Sequence, residues 1–386
     1  MAHYNTIMNQ LLTLIPRHQF ETLVKSHSGD RYVKHFNCWN QFTVMLYAQA
    51  SSKDSLRDIQ NGLTAQQNKL YHLGLKSIRR STLADANQTR DYHIYEHLFY
   101  KILKRCKDIT PKHKFRFKNP LYTLDATVID LCLSTFSWAK FRTTKGAIKL
   151  HYQFDYSGQI PSFLVVTPAK THEIRVARSS FPLISDSIYC FDKGYIDFAW
   201  FYSLNKEHIF FVTRAKDNLN YELIGQQPVD NKKGLLLDAK IKLSGYYQSK
   251  DYSDPLRLII YHDEETDKVL SFLTNNFKLS ALTIAQIYKA RWQVEIFFKW
   301  IKQNLKIKTF LGTSKNAVLT QIWTAMCYYL LLAYIKYQTK YKNSLFYLNK
   351  LIRETLLNRL SLIDLLNLSE HNLPKIKNTE QQLCLL

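Results

Sequence analysis

The chain has 386 residues, 46% hydrophobic and 14% aromatic, a composition that excludes a disordered chain and supports a sizeable core. Its 53 Lys and Arg against 31 Asp and Glu leave +22 at pH 7, which points to a polyanionic partner: nucleic acid first, an anionic membrane surface second. The six cysteines form no CxxC pair and no tight Cys/His cluster, which excludes a zinc finger and a disulfide framework and fits a reducing cytoplasm.

The N-terminus, MAHYNTIMNQLLTLIPRHQ, lacks a basic segment followed by a long apolar one, so no export signal is expected. Residues 5–107 carry helical spacing with Ser or Asp starts. Within them, SLRDIQNGL and STLADAN could form a helix-turn-helix, with Ser81 as N-cap and Arg79 and Arg80 at the entrance. Residues 1–124 hold 19 basic and 8 acidic side chains, with a dense basic run KILKRCKDITPKHKFRFK at 101–118, and beyond the helical residues its continuation to Pro120 reads as a linker.

From 121 the period changes to two. LYTLDATVIDL, AIKLHYQFDY and GQIPSFLVVTP read as three strands, followed by a helix at 171–181, a strand SIYCFDKGY, a helix around 196–206 and a strand HIFFVTRAK. That order predicts an α/β domain with a mixed sheet. Residues 217–275 alternate like strands between Asp, Asn and Gly turns and are expected to form a β-rich insertion, after which a helix returns over 281–305. The segment 316–335 is long enough to cross a bilayer, but its Asn, Gln and Thr residues favour a buried core helix.

At 288–306, YKARWQVEIFFKWIKQNLK, a single acid, Glu295, stands among Lys289, Arg291, Lys299, Lys302 and Lys306. At 100° per residue, Tyr288, Arg291, Lys299, Lys302 and Lys306 all fall within about 40° of Glu295, on one stripe facing outward or into a cleft. Ile287, Ala290, Val294, Ile296, Phe297, Trp300 and Ile301 make the opposite, apolar band expected against a core. A solvated helix face with a Glu295–Lys299 pair would explain the window taken alone.

Two further acids sit in strands. Asp125 lies inside the apolar run YTLDATVI, where a carboxylate is costly unless paired or bound to a cation. Asp192 ends the strand IYCF before Lys193-Gly194-Tyr195, a position that turn chemistry also explains. Asp130, Asp155 and Asp186 compete less well, being on the opposite face, closing a strand, or in a loop. Two strand carboxylates and one helix carboxylate form the minimum ligand set for a pair of Mg²⁺ ions that polarise a scissile phosphate and activate water or a 3′ hydroxyl.

These residues resemble a known family. Asp125, Asp192 and Glu295 look like the Asp-Asp-Glu triad of bacterial insertion-sequence transposases with a ribonuclease H-like catalytic domain. Tyr288, Arg291, Glu295 and Lys302 match in type and spacing the Y-R-E-K signature of its insertion sequence 4 family. LDATVIDL, TKGAIKLHYQFD, CFDKGYID and FLTNNF look like that family's blocks, so the resemblance covers about 121–335. It implies a helical DNA-binding or accessory domain at 1–118, a catalytic domain at 119–335 with its insertion at about 217–275, and a C-terminal helical region at 336–386.

The resemblance further implies a DNA transposase acting at insertion-sequence ends by cut-and-paste through a hairpin. Asp125, Asp192 and Glu295 would hold two Mg²⁺, with Mn²⁺ as substitute. Tyr288, Arg291, Lys299, Lys302 and Lys306 would meet DNA, and the partners would be terminal inverted repeats, target DNA and a second copy of the chain, in the bacterial cytoplasm at the nucleoid. Some relatives hold a flipped base with a Trp in the insertion. No Trp lies between 201 and 291 here, leaving Tyr246, Tyr247 or Tyr252 as substitutes. The alternatives are a metal-dependent nuclease that cuts without joining and a DNA-binding regulator without catalysis.

Overall fold

Helices fill the first hundred residues, as the apolar spacing predicts: α1 (Ile7–Thr13), α2 (Arg17–Ser26), α3 (Cys38–Ala50), α4 (Leu56–Ala65), α5 (Arg80–Thr89) and α6 (His93–Lys107). The computed structural model describes residues 5–140, 146–305 and 309–372. Side-chain caps start several of these helices. The Thr6 hydroxyl accepts the Asn9 N–H, the Asn37 amide oxygen that of Asn40, and the Ser55 hydroxyl that of Asp58. Ser81 is not such a cap. α5 begins one residue earlier, at Arg80, whose N–H is taken by Gln60 Oε1 of α4 at 2.8 Å, so a contact between helices replaces the local cap.

The strands follow. β1 (Leu121–Leu131), β2 (Gly146–Asp155) and β3 (Ile160–Pro168) form an antiparallel meander, and α7 (Glu173–Ser180) leads to β4 (Ile188–Cys190), α8 (Phe198–Lys206) and β5 (Phe210–Arg214). The pairs β1–β4 and β4–β5 are parallel. The spatial order β3-β2-β1-β4-β5, with β2 antiparallel to its neighbours, is the ribonuclease H-like arrangement.

The expected insertion contributes β6 (Tyr221–Gln226), β7 (Leu235–Leu243), the short α9 (Tyr246–Asp251), β8 (Leu256–Asp263) and β9 (Lys268–Thr274). These strands prolong the same sheet rather than stacking apart from it. β9 pairs with β5 and the order continues β9-β8-β7-β6, giving nine strands among the described residues. Arg257 ties this half down, donating to both oxygens of Asp238 at 2.7 Å and to the carbonyls of Asn276 and Leu279.

Strand alternation gives the sheet two buried faces. Tyr122, Leu124, Tyr189, Phe191 and Phe211 pack with α7 and α8, while Leu121, Ile188, Cys190, Val212 and Phe272 pack with α10 (Ala281–Ala290). The helix expected over 281–305 is broken at Arg291, and α11 (Trp292–Asn304) begins beyond it. The last helices are α12 (Lys315–Gln338), α13 (Leu345–Thr355) and α14 (Leu362–Asn372).

Two compact units result, one from residues 1–110 with 300–386, the other from 111–299. In the first, α12 is the central helix. Its Trp323 packs on Phe99 with ring centroids 5.4 Å apart, and the Cys106 thiol donates to the Leu330 carbonyl. Of the apolar stretch long enough to cross a membrane, 94% is buried inside the protein, so its hydrophobicity serves a core.

Candidate active site

The two strand acids are brought level by the parallel pairing of β1 and β4. Thr123 is aligned with Cys190, and Asp125 and Asp192 each stand two residues beyond that rung. Leu121 and Thr123 on β1, and Ile188 and Cys190 on β4, precede them at a period of two, so both acids continue the face toward α10. Asp192 lies just past β4 and caps a 3-10 turn, Lys193–Tyr195, accepting the Gly194 N–H at 2.9 Å.

Arg291 joins these strands to α11. Its Nη1 donates to Asp125 Oδ2 at 2.8 Å and its Nη2 to Glu295 Oε1 at 2.9 Å, while the residue is only 9% exposed. Burial raises the Asp125 carboxyl to about 7. Arg291 and the Ala126 N–H pull it down, and the charges of Asp192 and Glu295 push it up. Asp125 and Glu295, 170 residues apart in the sequence, therefore share Arg291 as a common cation, and the charge of Asp192 is felt at Asp125 as well.

The helical stripe is divided by its surroundings. Tyr288 is buried, its ring 5.0 Å from Phe272 and beneath the Arg291 guanidinium, and burial lifts its hydroxyl to about 12. Lys289 is paired with Asp263 and Glu265. Lys299 is exposed and Lys302 half-buried on the later part of α11, whereas Lys306 lies outside the described residues. The apolar band also needs correction. Ile296, expected against the core, is 67% exposed, and Trp292 is 60% exposed beside it, because both lie on the side of α11 opposite its buried Val294, Phe298 and Ile301.

Among the described residues, no three His, Cys, Asp or Glu side chains stand close enough to share one ion in this arrangement. Their chemistry nevertheless fits a divalent cation. Burial, with a smaller push from the charges of Asp192 and Glu295, raises Asp125, and the absence of a Cβ at Gly194, which would stand 3.0 Å from Asp192 Oδ1, leaves that carboxylate room. The hydroxyl of Tyr195, in the same turn, is buried without a hydrogen-bond partner among the described residues. Glu173, at the start of α7, was missed by sequence reasoning. The available signal was an acid opening the helix after the third strand, which helix-end electrostatics explains without any site.

Comparison with known proteins gives a family. A profile described as "Transposase DDE domain" matches residues 116–331, and one described as "Domain of unknown function (DUF4372)" matches residues 3–76. The chain is 33% identical over 254 residues to a protein of Sinorhizobium fredii named as transposase y4zB, covering 65% of this chain and 69% of that one. It is 28% identical over 269 residues to a protein of Geobacillus stearothermophilus named as the transposase for insertion sequence element IS5377, covering 69% and 70%. A Synechocystis protein named for insertion sequence element IS4SA is 23% identical over 271 residues, covering 68% and 74%. Among solved structures, a piggyBac transposase synaptic complex with hairpin DNA aligns over 97% of this chain and 81% of that chain, at 11% identity and a TM-score of 0.44, too loose a likeness to bear on the site. With the profile matching more than half its length and insertion-sequence transposases among its relatives, the chain belongs to the DDE-domain transposases, enzymes that act on DNA with divalent metal ions.

Proposed function

We propose that this transposase nicks DNA at the ends of an insertion sequence and transfers the freed strand, with Asp125, Asp192 and Glu295 as the acids that hold its cations. The observation that carries the reading is the gathering of those three carboxylates from β1, the turn after β4 and α11, with buried Arg291 bridging Asp125 and Glu295. Two Mg²⁺, or Mn²⁺ in their place, would polarise the scissile phosphate and lower the pKa of the attacking water or 3′ hydroxyl.

The protein's own part is positioning. Asp125 sits on a rigid strand, and Asp192 is fixed by the Gly194 N–H. Arg291 holds Glu295 toward the sheet, and Tyr288 supports the guanidinium from below. Exposed Lys299 and, further along α11, Lys302 are suited to DNA phosphates. The order of steps is taken to be nick, hairpin, reopening and joining, carried out by a dimer that holds both ends.

Residues 1–118 are assigned to recognition of the element's ends, with exposed Arg79 and Arg80 at the entrance to α5 among their phosphate contacts. Their binding should weaken steeply with salt. The test of the catalytic assignment is end-labelled transposon DNA with Mg²⁺ or Mn²⁺. Asp125→Asn, Asp192→Asn and Glu295→Gln are each expected to abolish nicking while keeping DNA binding. Near wild-type cutting by any one of them removes that residue from the site.

A further inference from the structure

Glu173 is bound on one side only. Its Oε1 accepts from Lys149 Nζ at 3.2 Å, and the same Nζ donates to the Thr171 carbonyl at 3.2 Å. The Lys149 side chain is 14% exposed, so this anchor fixes which way the carboxylate faces. The other oxygen is directed elsewhere. A Cβ on Gly194 would stand 3.5 Å from Glu173 Oε2 and 3.0 Å from Asp192 Oδ1.

The φ of Gly194 lies outside the left-handed region, so the backbone does not require glycine there. What the missing Cβ does is leave a gap between two carboxylates. The adjacent Tyr195 hydroxyl is buried and has no partner among the described residues, which is costly for a phenol unless something fills the space it faces. Burial, and after it the charges of Glu173, Asp125 and Asp192, hold that hydroxyl well above its ordinary pKa, so it stands as a donor among acids. Preference for an acid in a helix's first turn accounts for Glu173 by itself. It does not account for the glycine gap or for the unpartnered hydroxyl.

We propose that Glu173 is a fourth carboxylate of the divalent-cation site, facing Asp192 across Gly194 and held in place by Lys149. The inference rests on the assignment of Asp125, Asp192 and Glu295 made above. It also accounts for the charge distribution. Without a metal ion, Arg291 bridges Asp125 and Glu295 and Lys149 pairs with Glu173, which leaves Asp192, among the described residues, as the member of the four without a cationic partner. The side of the site around Asp192 is thus where an added dication gains most, and Glu173 supplies the second oxygen ligand there.

The test is Mn²⁺ binding to the full chain, followed by electron paramagnetic resonance of the free ion, for wild type, Glu173→Gln, Gly194→Ala and Asp192→Asn. Far-UV circular dichroism checks the fold. Glu173→Gln and Gly194→Ala are each expected to raise the Mn²⁺ dissociation constant about tenfold or more. Lys149→Met should raise it by a smaller factor, and Lys149→Arg should restore it, since a guanidinium can reach both oxygens. Wild-type Mn²⁺ affinity and stoichiometry in Glu173→Gln, with binding weakened in Asp192→Asn, would overturn the role of Glu173 alone. Unchanged binding in Asp192→Asn as well would overturn the cation-site assignment and this inference with it. If Glu173→Gln does not fold, Gly194→Ala decides the matter, because it removes no carboxylate and leaves Lys149 its partner. Wild-type binding in that variant would overturn the proposal.

Discussion

Arg291 donates to Asp125 across 2.8 Å and so joins residues 166 apart in the chain, the middle of the sheet to the start of α11. Both side chains are largely buried, so removing the guanidinium strands a carboxylate. Arg291→Ala is expected to cost about 3–5 kcal/mol of stability without divalent metal. On the proposed cation assignment Mg²⁺ and the guanidinium would meet the same acids, so Mg²⁺ should raise the melting temperature of the variant more than that of the wild type. Scanning calorimetry with and without Mg²⁺ measures this, and equal increments would contradict it.

A hairpin requires a sharply bent strand whose phosphates crowd together, and that crowding needs cations that the first nick does not. Lys299→Ala and Lys302→Ala are expected to keep first-strand nicking and lose hairpin product disproportionately. A time course at saturating enzyme, resolved on denaturing gels, separates this from a general loss of DNA affinity, in which both products would fall together.

Trp292 and Ile296 are exposed one turn apart on the helix that carries Glu295. In a basic protein, such a pair beside an acid of the proposed site is suited to stacking on an unpaired base. Trp292→Ala should change stability by less than about 0.5 kcal/mol, as befits a surface residue. It should weaken binding to nicked or mismatched ends by about tenfold, within the range for base stacking on an aromatic side chain. Equal losses on perfect duplex and mismatched ends would point to a generic contact.

His151, buried on β2, bonds the Thr167 hydroxyl at 2.9 Å through Nε2. Burial, and then the charge of Lys149, lower its pKa to about 4. The unfolded chain takes up a proton near pH 6.5 and the folded one only near 4, so between those values the unfolded state binds more protons. Stability is then fully present above about pH 6.5 and is lost as pH falls toward 4, by about 3 kcal/mol for this residue. His151→Gln should flatten that part of the melting-temperature profile.

Where the physics is local, the sequence was legible. β1, β2 and β3 lie within two residues of where alternation put them, and Asp125 stood out because a carboxylate in an apolar strand needs a reason. Pairing across the sheet was not legible. Alternation in 217–275 predicted strands, but not that β9 would take the open edge of β5. The helix at 281–305 read as continuous because its composition has no breaker, whereas the structure divides it at Arg291, with Tyr288 buried before the division and Ile296 exposed beyond it. Glu173 passed unremarked inside the helix expected at 171–181, because its proposed role depends on Gly194 and Lys149, 21 and 24 residues away.

The central position of α12 has a consequence for how the protein is made. Asn316 donates to the carbonyls of Asn87 and Arg90, and Cys327 and Trp323 cover Tyr95 and Phe99, so the first hundred residues meet their core helix only after the intervening unit has been synthesised. During translation they must wait, partly unburied, for more than two hundred further residues. A chain that stops before α12 therefore lacks the helix its first hundred residues pack against and is left an unfinished bundle, open to proteases.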